Sequence, residues 1–203
     1  MDIITDVTRA LGAHPSIRTV RLAGSRRRNA QTVLSDWDFV VETDDFAAVA
    51  RDLPELVRPL DPLAAQWDPY ADIVCYMLIL PGAEKVDLLF PDHPRAWSGA
   101  WVAGSGTLVA IDKHFWDWIL WLAQKAEHGE RALLRDRLRD MHRLMLGPLG
   151  VDEPPHTIDD AIGTYLRARE TNERRFGVRV DRRLGEEVLS RLRRHGYATA
   201  ALP

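Results

Sequence analysis

Two aspartates, Asp36 and Asp38, stand two residues apart in Asp36-Trp37-Asp38-Phe39-Val40-Val41-Glu42, a stretch whose aromatic and β-branched content predicts a strand. In a strand, residues i and i+2 project from one face, so both carboxylates look the same way. Two carboxylates that close repel each other unless a cation lies between them. A hard divalent ion such as Mg²⁺ is the natural partner, because it takes oxygen ligands and accepts substrate phosphate in its shell. A third acid, Asp87, lies in Lys85-Val86-Asp87-Leu88-Leu89-Phe90, flanked by two apolar residues that face away from it. If the two strands are neighbours, three carboxylates converge. Such a set suits two metal ions about 3.5–4 Å apart, holding the attacking and leaving oxygens of an in-line phosphoryl displacement.

The other half of such a site lies upstream, at Gly24-Ser25. A glycine after a strand lets backbone N–H groups approach a ligand closely. A short helix is expected over residues 26–33, and a helix N-terminus favours phosphate. Ser25 adds a hydroxyl donor, and Arg26, Arg27 or Arg28 adds charge. Each piece alone has a plainer use: Gly24 as a turn, Ser25 as an N-cap, the arginine run as a solvated face, the two acids as exposed strand residues. It is their order along the chain that points to phosphate chemistry.

Ala23-Gly24-Ser25, then Asp36-Trp37-Asp38-Phe39, then Val86-Asp87-Leu88 resembles the polymerase-β-like nucleotidyltransferase superfamily. Its hallmark is hydrophobic-Gly-Ser, a spacer of roughly ten residues, Asp-hydrophobic-Asp-hydrophobic, and a later acid between apolar neighbours. The longer string Gly24-Ser25-Arg26 with Ser35-Asp36-Trp37-Asp38 is similar to the small bacterial branch that includes aminoglycoside and lincosamide adenylyltransferases. Asn29 departs from the pattern, near a place where many of those proteins carry glycine. Farther along, His114-Phe115-Trp116, Lys125 and Gly129-Glu130 are similar to a pattern in the helical domain of some antibiotic adenylyltransferases.

The resemblance implies an Mg²⁺-dependent adenylyltransferase with two ions, moving AMP from ATP to a hydroxyl of a small molecule, such as an aminoglycoside-like antibiotic, with release of pyrophosphate. Asp36, Asp38 and Asp87 would be the catalytic metal ligands. Gly24, Ser25, Arg26 and Lys125 would hold the nucleotide. Asp87 could assist deprotonation of the acceptor, and Glu127, Glu130, Asp136 and Asp140 stay open as a separate general base. Two other readings also stay open: adenylylation of a protein partner, as in toxin–antitoxin pairs, and a non-catalytic nucleotide-binding protein on the same scaffold.

The elements that must position these residues follow from spacing. Ile3, Ile4, Val7 and Leu11 predict a helix over 2–13, and Thr19 to Ala23 a strand. Asp44-Asp45 caps a helix continued by Phe46, Val49, Leu53 and Leu56. Ile73 to Leu80 is a buried strand, turned by Pro81-Gly82 into Lys85–Phe90. Residues 91–109 read as a linker. Helices follow over about 112–128, 130–146, 157–175 and 181–195, with Asp112 as the N-cap of the first. The expected fold class is α+β: a nucleotidyltransferase domain over 1–109, with a small mixed sheet flanked by helices, then a C-terminal helical bundle domain over 110–203.

Of 203 residues, 30 are acidic and 27 are Lys or Arg, and the net charge of −3 excludes a uniformly basic nucleic-acid coat. Residues 1–109 carry 15 acids and 10 bases, a net of −5; residues 110–203 carry the other 15 acids and 17 bases, a net of +2. An anionic ligand would therefore find its positive charge mainly in the second half or in bound metal. One cysteine, Cys75, sits in an apolar strand and excludes a disulfide framework. His114, His128 and His142 lack the spacing of a zinc motif. No apolar run spans a bilayer and the start does not read as a secretory signal, so a cytoplasmic protein is expected. The expected partners are a nucleoside triphosphate and a small hydroxylated acceptor, without membrane or nucleic acid; a homodimer with a shared cleft stays open.

Overall fold

The computed structural model describes residues 2–95 and 98–197; residues 96 and 97, inside the segment read as a linker, lie outside the described residues. The fold is α+β, with one mixed five-stranded sheet and seven α-helices among the described residues. It divides into two compact units, Met1–Gln31 with Ser35–Ser98, and Thr32–Leu34 with Gly99–Pro203.

In the first unit, β1 (Ile17–Leu22), β2 (Trp37–Thr43), β3 (Ala64–Trp67), β4 (Val74–Leu80) and β5 (Glu84–Phe90) lie in the order β1-β2-β5-β4-β3. Only the β2–β5 pair is parallel; the others are antiparallel. The β4–β5 hairpin turns through Gly82 and Ala83, both left-handed, at φ +83° and +58°. Alternation splits the two central strands cleanly. Phe39 and Val41 of β2 and Val86, Leu88 and Phe90 of β5 enter the core, where they meet Ile3, Val7 and Leu11 of α1 (Ile3–Gly12) and Val49, Leu53 and Val57 of α3 (Phe46–Val57). Asp38, Lys85 and Asp87 therefore project from the opposite face.

Both helices are capped as their sequences direct. Asp2 accepts from the Thr5 amide and Asp45 from the Ala48 amide, each satisfying a donor the helix cannot. The fourth-residue periodicity of α1 leaves Ile3, Val7 and Leu11 buried on one stripe. β3 is an edge strand that composition does not announce, since Ala64-Ala65-Gln66-Trp67 has no β-branched residue; it forms by pairing with β4.

The second unit is built around α4 (Leu108–Glu127), which packs against α5 (Arg131–Met141), α6 (Ile158–Phe176) and α7 (Arg183–Arg194). Phe115, Ile119 and Leu122 of α4 are fully buried, and Phe115 stacks on Tyr165 with ring centroids 3.8 Å apart. Trp116 packs so tightly on α7 that a Cβ on Gly185 would meet its ring at 2.7 Å. The helix begins earlier than its acidic residue suggests. Asp112 is not an N-cap; it is buried within α4, and its Oδ1 accepts from Tyr165 Oη at 2.5 Å, Trp116 Nε1 at 3.2 Å and Arg169 at 3.3 Å. α5 ends in one π-helical turn over His142–Leu146 before Gly147. Among the described residues no helix is long and apolar enough to cross a membrane. Cys75 is buried.

Candidate active site

The site begins with a register. β2 and β5 run parallel with Asp38 directly opposite Asp87, and the period of two places both carboxylates on the sheet face away from α1 and α3. Asp36 precedes β2 by one residue. Asp36, Asp38 and Asp87 each bring a carboxylate oxygen to within 4.8 Å of the others, and all three are half-buried. The donor set is oxygen only and fits a hard cation of the Mg²⁺ kind.

The field in this cluster is felt most at Asp38. Burial pushes its carboxyl up to about 7, and the neighbouring charges of Asp36 and Asp87 push in the same direction; Lys85 and Arg28 partly offset them.

Gly24 closes the cluster from the β1 side. Its φ is +61°, and a Cβ there would stand 1.7 Å from Asp38 Oδ2. Both the backbone angle and the space demand glycine. The Ala23 amide donates to the Asp38 carbonyl at 2.7 Å, which ties the loop to β2 at the residue that carries the carboxylate. Gly24 also opens α2 (Gly24–Arg27), shorter and earlier than the helix expected over 26–33. The chain leaves it through Asn29 at φ +53°, a left-handed position that asparagine tolerates better than most residues. Asn29 thus takes a conformation glycine would otherwise supply. No side chain caps α2, and the Ser25 hydroxyl is buried without a hydrogen-bond partner. A hydroxyl left like that is costly unless a ligand meets it.

Arg26 is turned inward. Its Nε donates to the Asp36 carbonyl at 2.9 Å, its Nη2 donates to the Ser35 carbonyl at 2.6 Å, and its guanidinium lies 3.7 Å over the Trp37 ring. It fastens the loop that leads into Asp36. Arg27 and Arg28 are exposed, and of these Arg28 acts electrostatically on Asp38.

Lys85 is the feature that residue-by-residue reading missed. Its Nζ lies 2.5 Å from Asp87 Oδ1, with the two side chains only 7% and 14% exposed. The signal was available: Lys85 precedes Asp87 by two in the same strand and so shares its face. Trp37, on the face away from Asp38, is anchored by its Nε1 donating to Glu84 at 3.1 Å.

In the helical unit, Lys125 occupies the last turn of α4, 3.6 Å from Glu130 and over the Trp121 ring at 5.5 Å. Asp136 pairs with Arg139, and Asp140 with Arg137 and Arg143. Glu127 is exposed.

No family model matches the chain, and no curated protein matches it in sequence. Among solved structures, it is similar to an aminoglycoside 6-adenyltransferase from Bacillus subtilis, with 9% identity and a TM-score of 0.40, over 95% of this chain and 97% of that one. Likeness at that depth sets no chemistry, which rests on the side chains.

Proposed function

We propose that the chain is a divalent-metal-dependent nucleotidyltransferase, an adenylyltransferase that moves AMP from ATP to a hydroxyl of a small molecule and releases pyrophosphate. The observation that supports this best is the convergence of three carboxylates, one just before β2, one on β2 and one on β5, within 4.8 Å, beside a glycine with no room for a Cβ. A solvated pair of surface acids has no need of that close approach.

In the reaction, the acceptor oxygen attacks the α-phosphorus of ATP. One P–O bond forms, the bond to the pyrophosphate oxygen breaks, and the acceptor hydroxyl gives its proton to Asp87, from which it passes to solvent. Bound divalent ions supply charge neutralisation at the reacting phosphate. Asp36 and Asp38 would hold them, with Asp87 completing the set. To do so Asp38 must give up the proton that it still partly holds near pH 7. The orphaned Ser25 hydroxyl would donate to a phosphate oxygen, satisfying a group that otherwise lacks a partner. Arg28 would add positive charge on the same side, while Arg26 keeps the Asp36 loop in place. Lys125 is the candidate for a further cationic contact with the triphosphate. Catalysis of this sort is positioning and electrostatics rather than covalent chemistry. A cationic, polyhydroxylated acceptor of the aminoglycoside kind suits the net −5 of residues 1–109.

The direct test is incubation with α-labelled ATP, Mg²⁺ and a panel of hydroxylated acceptors. Transfer of label with stoichiometric pyrophosphate is expected, and Asp38→Ala should abolish it. Full activity in Asp38→Ala would overturn the assignment.

A further inference from the structure

Arg169 is only 3% exposed within the helical unit, yet it uses little of its capacity to donate. Its Nη1 donates to Asp112 Oδ1 at 3.3 Å, and that one oxygen also accepts from Tyr165 Oη and Trp116 Nε1. Its Nε is buried with no hydrogen-bond partner, and among the described residues no acceptor meets Nη2. Nε and Nη2 make up the edge of a guanidinium that grips a carboxylate through two parallel hydrogen bonds. Leaving that edge of a buried charge unmet is costly, so a ligand that meets it gains what the fold forgoes.

The same arginine lines a cavity of about 90 Å³ together with Trp116, Glu170, Arg182, Gly185 and Glu186. One water needs about 10–15 Å³ and a cavity that takes benzene about 150 Å³, so this one admits a molecule of a few heavy atoms. The lining is of mixed sign. Arg182 is engaged by Glu173, to which its Nη1 and Nη2 donate at 2.6 and 2.7 Å. Glu170 is half-buried and Glu186 exposed, and neither joins an ion pair among the described residues. A bare anion would be drawn to Arg169 but repelled by these two carboxylates, and a bare cation would leave the Arg169 edge unmet.

We propose that this cavity binds a small α-amino acid, its carboxylate on the Nε–Nη2 edge of Arg169 and its ammonium at Glu170 and Glu186. A zwitterion carries both charges that the lining calls for and no net charge of its own. The Trp116 ring walls the cavity and packs against Gly185 so closely that a Cβ there would meet Cζ2 at 2.7 Å, which leaves no slack for a large ligand side chain. The exposed Glu186 marks the open rim. Every residue of the site belongs to the helical unit, and binding needs neither nucleotide nor metal.

The test is titration of the full chain with glycine, acetate and methylamine, followed through the indole N–H resonance of Trp116, which lines the cavity and donates to Asp112. Glycine should shift that resonance saturably. Acetate and methylamine each carry one of its two charges and should bind at least about tenfold more weakly, the scale of one lost charge-assisted contact. The double variant Glu170→Gln, Glu186→Gln should fold, lose glycine affinity by the same factor and bind acetate at least as well as the wild type does. Arg169→Lys keeps the charge without the planar edge and should lose glycine binding; where circular dichroism shows it unfolded, the double variant decides. Absence of a saturable shift with glycine would overturn the proposal. So would acetate binding as tightly as glycine, which reduces the cavity to a simple anion site, or unchanged glycine affinity in the double variant.

Discussion

Gly24 lies so close to Asp38 that a methyl group on it would stand 1.7 Å from Asp38 Oδ2, 2.8 Å from Cγ and 3.2 Å from Cβ. The glycine and the carboxylate therefore share one volume, and neither can be described without the other. The Ala23–Asp38 backbone hydrogen bond holds the two in that relation.

Gly24→Ala should separate folding from function. The left-handed φ costs a non-glycine residue about 1–2 kcal/mol. The steric conflict falls on the end of a side chain, which can rotate away. We expect a stability loss of about 2 kcal/mol by urea denaturation. Because Asp38 must leave its place, Mg²⁺-dependent thermal stabilisation should vanish and transfer activity should fall at least about a hundredfold, the scale of a misplaced catalytic group.

Asp38 makes the metal-free protein sensitive to pH. Its carboxyl titrates at about 7 in the folded chain against an ordinary 3.8, so the folded state binds the proton more tightly than the unfolded one. Ionisation then opposes folding, and stability falls as pH rises from about 4 through 7. Asp38→Asn removes the ionisation. In EDTA it should be more stable than the wild type at pH 8 by a few kcal/mol, at about 1.4 kcal/mol per pKa unit, with the difference fading toward pH 4. Thermal melts across that range read this directly.

Much of this arrangement is legible in the chain. The strands that carry Asp38 and Asp87 declare themselves by alternation, Phe39 and Val41 inward on one, Val86, Leu88 and Phe90 on the other. What the chain does not declare is pairing across distance. Asp112 looks like a helix cap because an acid near an apparent helix start usually is one, and its real partners, Tyr165 and Arg169, lie 53 and 57 residues away. β3 has no strand-like composition and exists because β4 offers it an edge. The Lys85–Asp87 pair is within reach of simple periodicity, since the two residues stand two apart in one strand and share a face.

Ser25→Ala should be nearly silent in stability, since the hydroxyl makes no hydrogen bond in the ligand-free chain and its burial is itself unfavourable. In the transferase assay the same change should raise the KM for ATP about five- to tenfold, the worth of one hydrogen bond to a charged oxygen. A large loss of stability with unchanged KM would assign Ser25 to the fold instead.

Asp112→Ala tests the helical unit alone. Burial pushes the Asp112 carboxyl up, and three donors, Tyr165 Oη foremost, hold it against that. Removing it leaves the Arg169 guanidinium buried without its counter-charge, a loss of about 3–5 kcal/mol. Tyr165→Phe removes one hydrogen bond and keeps the ring stack on Phe115, so about 1–2 kcal/mol is expected. Equal effects of the two variants in urea titrations would contradict the view of Asp112 as the centre of the network.

Arg26 decides how the loop before β2 should be understood. As a phosphate ligand it would be replaceable in part by lysine, which keeps the charge. Its geometry is instead that of a clamp: two donors on the carbonyls of Ser35 and Asp36 and a planar face on Trp37, a combination an ammonium cannot reproduce. Arg26→Lys should therefore lose almost as much as Arg26→Ala, about 1–3 kcal/mol of stability for hydrogen bonds from a charged donor. Both variants should lose Mn²⁺ affinity, because Asp36 rides on the segment that Arg26 holds. Arg28→Ala should leave stability unchanged and weaken ATP binding. If Arg26→Lys keeps wild-type stability and only Arg26→Ala loses ATP affinity, Arg26 is a ligand for phosphate and the clamp is incidental.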